Sequence, residues 1–221
     1  MSEYSEAEQW QRAKDWVRTN GLWIVAGIAI GAAGIGGWRW YFDRRTTQAE
    51  AASARYDEVV DAFARSDRTR AMTIVEDINR QYQWTPYAAL ATLMAARSQV
   101  EANELDKAAA SLKSVMDGAA DKEIRFIARM RLARVQAAQG KYDEALATLK
   151  IDNPGEFATR FAEVRGDVLL AKGDRAGALR EYLAARTGEN KGRVDVDILD
   201  LKIRDLGGTP PPNTEDSVEA S

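Results

Sequence analysis

Three stretches decide the reading: LMAARSQVEANELDKAAASLKSV starting at Leu93, MRLARVQAAQGKYDEALATL starting at Met130, and EVRGDVLLAKGDRAGALREYLAA starting at Glu163. Aligned, each places a small residue mid-way along a first helix (Ala96, Ala133, Gly166) and a turn residue seven positions on (Asn103, Gly140, Gly173). A second small residue lies five further (Ala108, Ala145, Ala178), and a bulky apolar residue four later (Leu112, Leu149, Tyr182). Antiparallel helices approach closely only where small residues face each other, and the turn joining them wants Gly or Asn in a left-handed conformation. One such hairpin cannot bury its own apolar face, so several must stack. Three units in register predict an all-α fold built as a solenoid of helical hairpins.

Working outward, the second alanine recurs at offsets of 37 and then 33 residues, close to the 34-residue period of tetratricopeptide repeats. The second unit is cut short, because KIDNPGEF follows Leu149 and Pro154 ends any helix early. Upstream, Tyr56, Val59, Val60 and Phe63 have helical spacing within 49–64, and Met72, Val75 and Ile78 share a face within 69–82. Those first two helices (roughly 47–82) fit the repeat poorly and are expected to form an extra hairpin packed on its end. Pro86 restricts the residue before it, and the next helix is expected to start at about Tyr87. A last helix over 197–206, with Ile198, Leu201 and Leu206 on one side, is expected to cap the array. The helical domain is therefore placed at 43–208. The remaining 209–221 has no periodicity and reads as a disordered acidic tail.

Ahead of the repeats, residues 21–38 read GLWIVAGIAIGAAGIGGW, without a charge. Eighteen helical residues span about 27 Å, near the roughly 30 Å of a bilayer's hydrocarbon. Trp23 at one end and Trp38, Trp40 and Tyr41 at the other suit the membrane–water boundaries. A transmembrane helix is expected over 21–42, preceded by a short segment, 1–20. That leader carries Glu3, Glu6, Glu8 and Asp15, unlike the short basic leader of a cleaved signal peptide. Gly27, Gly31 and Gly34 fall at i, i+4 and i+7, a stripe on which another membrane helix could pack. Arg12, Lys14 and Arg18 before the span balance Arg39, Arg44 and Arg45 after it, so charge alone does not orient it.

Composition excludes much chemistry. The 221 residues contain neither cysteine nor histidine, which removes disulfides, thiolate or imidazole metal sites, and triads needing an imidazole base. A formal net charge of -3 opposes bulk nucleic-acid binding. No phosphate-binding glycine loop or nucleophile elbow occurs. Ser111 and Lys113, two apart on a helix, do not face each other, and Asp143-Glu144 sits where a helix dipole favours carboxylates. No catalytic residue, cofactor or metal is expected. Instead, the first helices of stacked hairpins line a concave surface, on which Arg97, Val100, Met130, Arg134, Asp167 and Leu170 are expected to meet a peptide or a partner helix.

The short head before one span resembles that of the YfgM-like family, the ancillary subunits of the SecYEG translocon. The repeats carry the rest of the resemblance: TPYAALATLMAARSQVEANELDKA (85–108), MRLARVQAAQGKYDEALATL (130–149) and RGDVLLAKGDRAGALREY (165–182). The resemblance implies a single-pass protein of the bacterial inner membrane, with a cytoplasmic N-terminus and periplasmic repeats. It also implies a non-enzymatic scaffold partnered by the SecYEG channel and by a membrane-anchored periplasmic chaperone of the prolyl-isomerase type. Such a scaffold would help newly translocated proteins reach folding factors. The residues alone leave two other functions open, a holdase for unfolded clients and an adaptor of another cell-envelope complex.

Overall fold

The left-handed turns fall where the repeat places them. In a computed structural model that describes residues 6–188 and 194–212, Asn103, Gly140 and Gly173 have φ of 58°, 78° and 94°. Each closes a helix in the same way. The N–H of Glu104 donates to Gln99 O at 2.8 Å, that of Lys141 to Gln136 O at 2.8 Å, and that of Asp174 to Leu169 O at 2.9 Å. This closure satisfies carbonyls that a helix end would otherwise leave open. The turns join α3 (Pro86–Glu101) to α4 (Leu105–Gly118), α5 (Lys122–Ala138) to α6 (Tyr142–Thr148), and α7 (Ala158–Lys172) to α8 (Arg175–Thr187).

A fourth turn corrects the expectation for 47–82. Ser66 has φ of 60°, and Asp67 N–H donates to Ala62 O at 2.9 Å. This turn joins α1 (Glu6–Ala64) to α2 (Arg68–Gln81). Counting on from Ser66, Ala71 and Val75 fall at the positions of Ala108 and Leu112, and both are buried. The end of α1 and α2 are thus a further hairpin of the same register, with buried Val59 in the first small-residue position. The array also ends on this turn. Gly207, φ 80°, closes α9 (Val196–Asp205), with Gly208 N–H donating to Ile203 O at 2.9 Å. Pro210, Pro211 and Pro212 follow where a second helix would start.

The chain divides into two units, Met1–Ala51 and Ala52–Ser221. In the second, four apolar clusters follow one another along the hairpins. Val59, Ala71, Ile74 and Ile78 pack with Ala88 and Ala91, and Leu93, Ala96, Ala108 and Leu112 with Ala128 and Leu132. Met130, Ala133, Ala145 and Leu149 meet Phe161 and Val164, and Ala178, Tyr182 and Ala185 meet Leu199 and Ile203. The early break after Leu149 leaves α6 only seven residues long. Aromatic rings complete the core beside it. Phe157, in the 3-10 turn Gly155–Phe157, and Phe161 both meet Phe126 edge-on, at 5.5 and 5.6 Å. No strand occurs among the described residues.

Arg68 ties the first hairpin to the second. Its guanidinium donates to both Glu104 carboxylate oxygens, at 3.2 and 2.6 Å, and to Ser98 Oγ at 3.1 Å. Hydrogen bonds from Arg68 hold the Glu104 carboxyl below the usual carboxylate range. Because the folded pKa lies below the unfolded one, this contribution is complete above the ordinary carboxylate range. It is lost as pH falls through the folded value. Arg68→Gln is therefore expected to destabilise the protein at neutral pH but much less in acid, below the carboxylate range. Urea midpoints of the two proteins at both pH values check this.

In the first unit, α1 carries a row of large apolar side chains open to solvent. Leu22 is 80% exposed, Trp23 77%, Ile30 73% and Ile35 72%. Arg44 lies over the ring of Trp40 and Arg45 over that of Tyr41, at 5.3 and 4.8 Å. Among the described residues no single straight helix is long and apolar enough to cross a membrane. The pair Trp10–Trp23 and Val25–Ala64, bent by 45°, meets that length and composition together. Of the expected tail, 213–221 lies outside the described residues, as does 1–5 of the leader.

Candidate functional site: the first-helix face

Helix α5 is packed between α4, α6 and α7, so beyond its first turn only a narrow strip is exposed, carrying Arg131, Arg134 and Ala138. The equivalent strip of α3 carries Arg97 and Val100, and that of α7 Asp167 and Leu170. Arg97, Arg134 and Asp167 occupy one repeat position, each following the small residue of its first helix. Five of the six residues expected on this face therefore lie on it. Met130 does not. It is buried against Phe126, Phe157 and Phe161, because one residue back from Arg131 turns the side chain about 100° around the helix and into the core.

Asp167 is the hub of the face. Its carboxylate accepts from Arg134 Nη2 at 3.3 Å, from Tyr182 Oη at 3.0 Å and from Lys202 Nζ at 2.6 Å. Lys202, on α9, also donates to Glu163 at 3.0 Å, and Arg160 pairs with the other Glu163 oxygen at 3.4 Å. Glu163 is buried, and these two cations compensate its charge. Burial, and then the charge of Asp167, raise the Tyr182 phenol well above its ordinary range, so it remains a hydrogen-bond donor at any physiological pH. On the α3–α5 side the balance is positive. Arg97 Nε donates to Glu101 of its own helix at 2.9 Å. Arg131 has its pKa lowered by burial and then by the charges of Arg134 and Arg97.

Sequence spacing missed Arg131, Glu163, Tyr182 and Lys202 as members of this face. Arg131 was legible, since it lies three residues before Arg134 on the same helix strip. Lys202 was not, because it arrives from α9, beyond the last aligned repeat. A pocket of about 330 Å³ beside the α1–α2 turn is lined by Glu58, Asp61, Ala62, Arg65, Asp67 and Arg70. Its acids are engaged locally: Glu58 with Arg55, Asp61 with Arg65, and Asp67 as the cap of α2. Gly27, Gly31 and Gly34 lie along α1, and a Cβ built on any of them would meet nothing within 4 Å.

Stacked hairpins with small residues at their crossings and a polar strip along the first helices define a tetratricopeptide-like scaffold. The family model of the tetratricopeptide repeat-like domain matches residues 14–208, so it includes the apolar stretch as well as the hairpins. Curated relatives named ancillary SecYEG translocon subunit align over almost their full length. The one from Escherichia coli is 32% identical over 202 residues, and that from Neisseria gonorrhoeae 30% over 202. The one from Haemophilus influenzae is 27% identical over 201. Each alignment covers 91% of this chain and 97% of the relative. The chain belongs to the family of these ancillary translocon subunits.

Proposed function

We propose that this protein is a non-enzymatic scaffold of the Sec translocon. It would be held in the bacterial inner membrane by the helix over 21–42, with a cytoplasmic N-terminus and its hairpins in the periplasm. There the hairpins would link the SecYEG channel to a membrane-anchored chaperone of the prolyl-isomerase type. The observation that carries this reading is kinship with ancillary SecYEG translocon subunits across 91% of the chain, apolar stretch included. Two physical features support it. The exposed apolar side chains on α1, Leu22, Trp23, Val25, Ile30 and Ile35 among them, are costly in water and favourable in hydrocarbon. The open glycine stripe would also let a neighbouring membrane helix come close. The helical domain's first-helix strips carry scattered apolar groups, Val100 and Leu170, between charges, which fits a defined partner better than a holdase.

Photocrosslinking in living cells tests the proposal. A crosslinker at Ile30 is expected to capture subunits of the Sec channel, and one at Val100 a membrane-anchored periplasmic chaperone. Recovery of neither, with the chain present at its normal level in the membrane, would overturn it.

A further inference from the structure

We infer that the strip formed by Arg97, Arg131 and Arg134 docks an acidic segment of a protein partner, with Arg131 as the anchoring donor. The inference deepens the scaffold reading above and rests on it for the existence of a partner. Two of the three arginines already show what the strip accepts: Arg97 holds the Glu101 carboxylate at 2.9 Å, and Arg134 that of Asp167 at 3.3 Å. Arg131, exposed on the same helix strip as Arg134 and close enough to both arginines to feel their charge, makes no hydrogen bond or ion pair among the described residues. Its five N–H donors therefore have no acceptor among the described residues. Partial burial of its stem, and then the like charges of Arg134 and Arg97, disfavour the Arg131 cation, and an incoming carboxylate offsets the like-charge repulsion. A planar guanidinium matches a carboxylate in two parallel hydrogen bonds.

The surroundings narrow the occupant. Val100 and Leu170, 41% and 38% exposed, flank the arginines and suit apolar side chains interleaved with the acids. Three arginines in a chain of net charge -3 make a local rather than a long-range positive field, which favours a short acidic peptide over an anionic membrane surface.

The test uses the full chain in neutral detergent and, as probe, a short fluorescent peptide alternating Glu and Leu, with the Gln-for-Glu peptide as comparison. Anisotropy is expected to show binding of the Glu peptide alone. Arg131→Gln should weaken it about tenfold, Arg131→Lys less, and rising salt should weaken it in the unmodified chain. Arg97→Gln, at a side chain 79% exposed, gives a second variant with a smaller loss, and thermal melting confirms that each variant is folded. Equal binding of the Gln peptide, or an affinity unmoved by Arg131→Gln, overturns the inference. So does Arg131-dependent binding of monomeric short-chain phosphatidylglycerol without binding of the Glu peptide, which would assign the strip to lipid headgroups. The assay contains no translocon, so its failure is separate from failure of the crosslinks to Sec subunits.

Discussion

Asp200→Ala is expected to destabilise the helical domain by about 3–5 kcal/mol, the cost of removing one partner from a buried ion pair. Arg186 on α8 is a core residue in all but chemistry. Its side chain is 2% exposed, its Nε donates to Asp200 Oδ1 at 2.7 Å, and its Nη2 donates to Pro211 O at 3.2 Å. Asp200 itself is 14% exposed, so water cannot replace the lost carboxylate effectively. The pair fastens α9, and the proline segment after it, to the last full hairpin. Without it, Leu199 and Ile203 lose the alignment that buries them against Ala178, Tyr182 and Ala185. Urea denaturation followed by circular dichroism measures the loss. Replacing both members with apolar residues, Arg186→Met with Asp200→Leu, should recover most of it, because the desolvation of both charges disappears together. A surface pair of similar geometry, Lys113 with Asp117 at 2.7 Å, should contribute less than about 1 kcal/mol in the same assay.

The second large effect lies at the crossing of α7 and α8. Gly166→Ala is expected to cost about 1–3 kcal/mol, the usual range for overpacking a filled core. A Cβ at Gly166 would land on the Tyr182 ring, with Cζ at 3.1 Å and two ring carbons nearer still. The ring cannot swing away, since it is 1% exposed and its hydroxyl is tied to Asp167 at 3.0 Å. The repeats explain the pairing. The residue sixteen positions after the small one is leucine in the first two aligned units, after Ala96 and Ala133, and tyrosine in the third, after Gly166. A larger ring requires the smaller partner. Gly166→Ala combined with Tyr182→Leu rebuilds the alanine–leucine crossing and should restore most of the stability that Gly166→Ala alone removes. A double-mutant cycle on melting or urea midpoints reads the coupling directly. If the two substitutions instead add, the crossing is not what makes Gly166 necessary.

These two sites mark the boundary of what local pattern conveys. The turn residues Asn103, Gly140 and Gly173 were legible because left-handed backbone has few tolerant residue types, and all three adopt it. The small and bulky partners across each hairpin were legible for a similar reason, since close helix approach restricts size. The first hairpin was hidden because Ser66 makes its turn and Val59 takes the small position, neither with the residue type the pattern seeks. Met130 was misplaced because a 3.6-residue period gives a direction around the helix but not how many neighbours surround it. Arg186 looked like one more surface arginine in REYLAARTG. Only the arrival of α9 buries it and supplies Asp200, a contact no local spacing encodes. On the first-helix face, the positions of Arg97, Arg134 and Asp167 followed from the repeat, whereas the Asp167 hub needed Lys202 from outside it.

Anchorage with the hairpins on the periplasmic side is the claim on which the proposed function most depends, and protease accessibility tests it most directly. In spheroplasts with an intact inner membrane, added protease is expected to destroy Ala52–Ser221. In inverted inner-membrane vesicles the same region should be protected until detergent is added. Protection in spheroplasts with digestion in inverted vesicles, or recovery of the undigested chain in the soluble fraction, would contradict it.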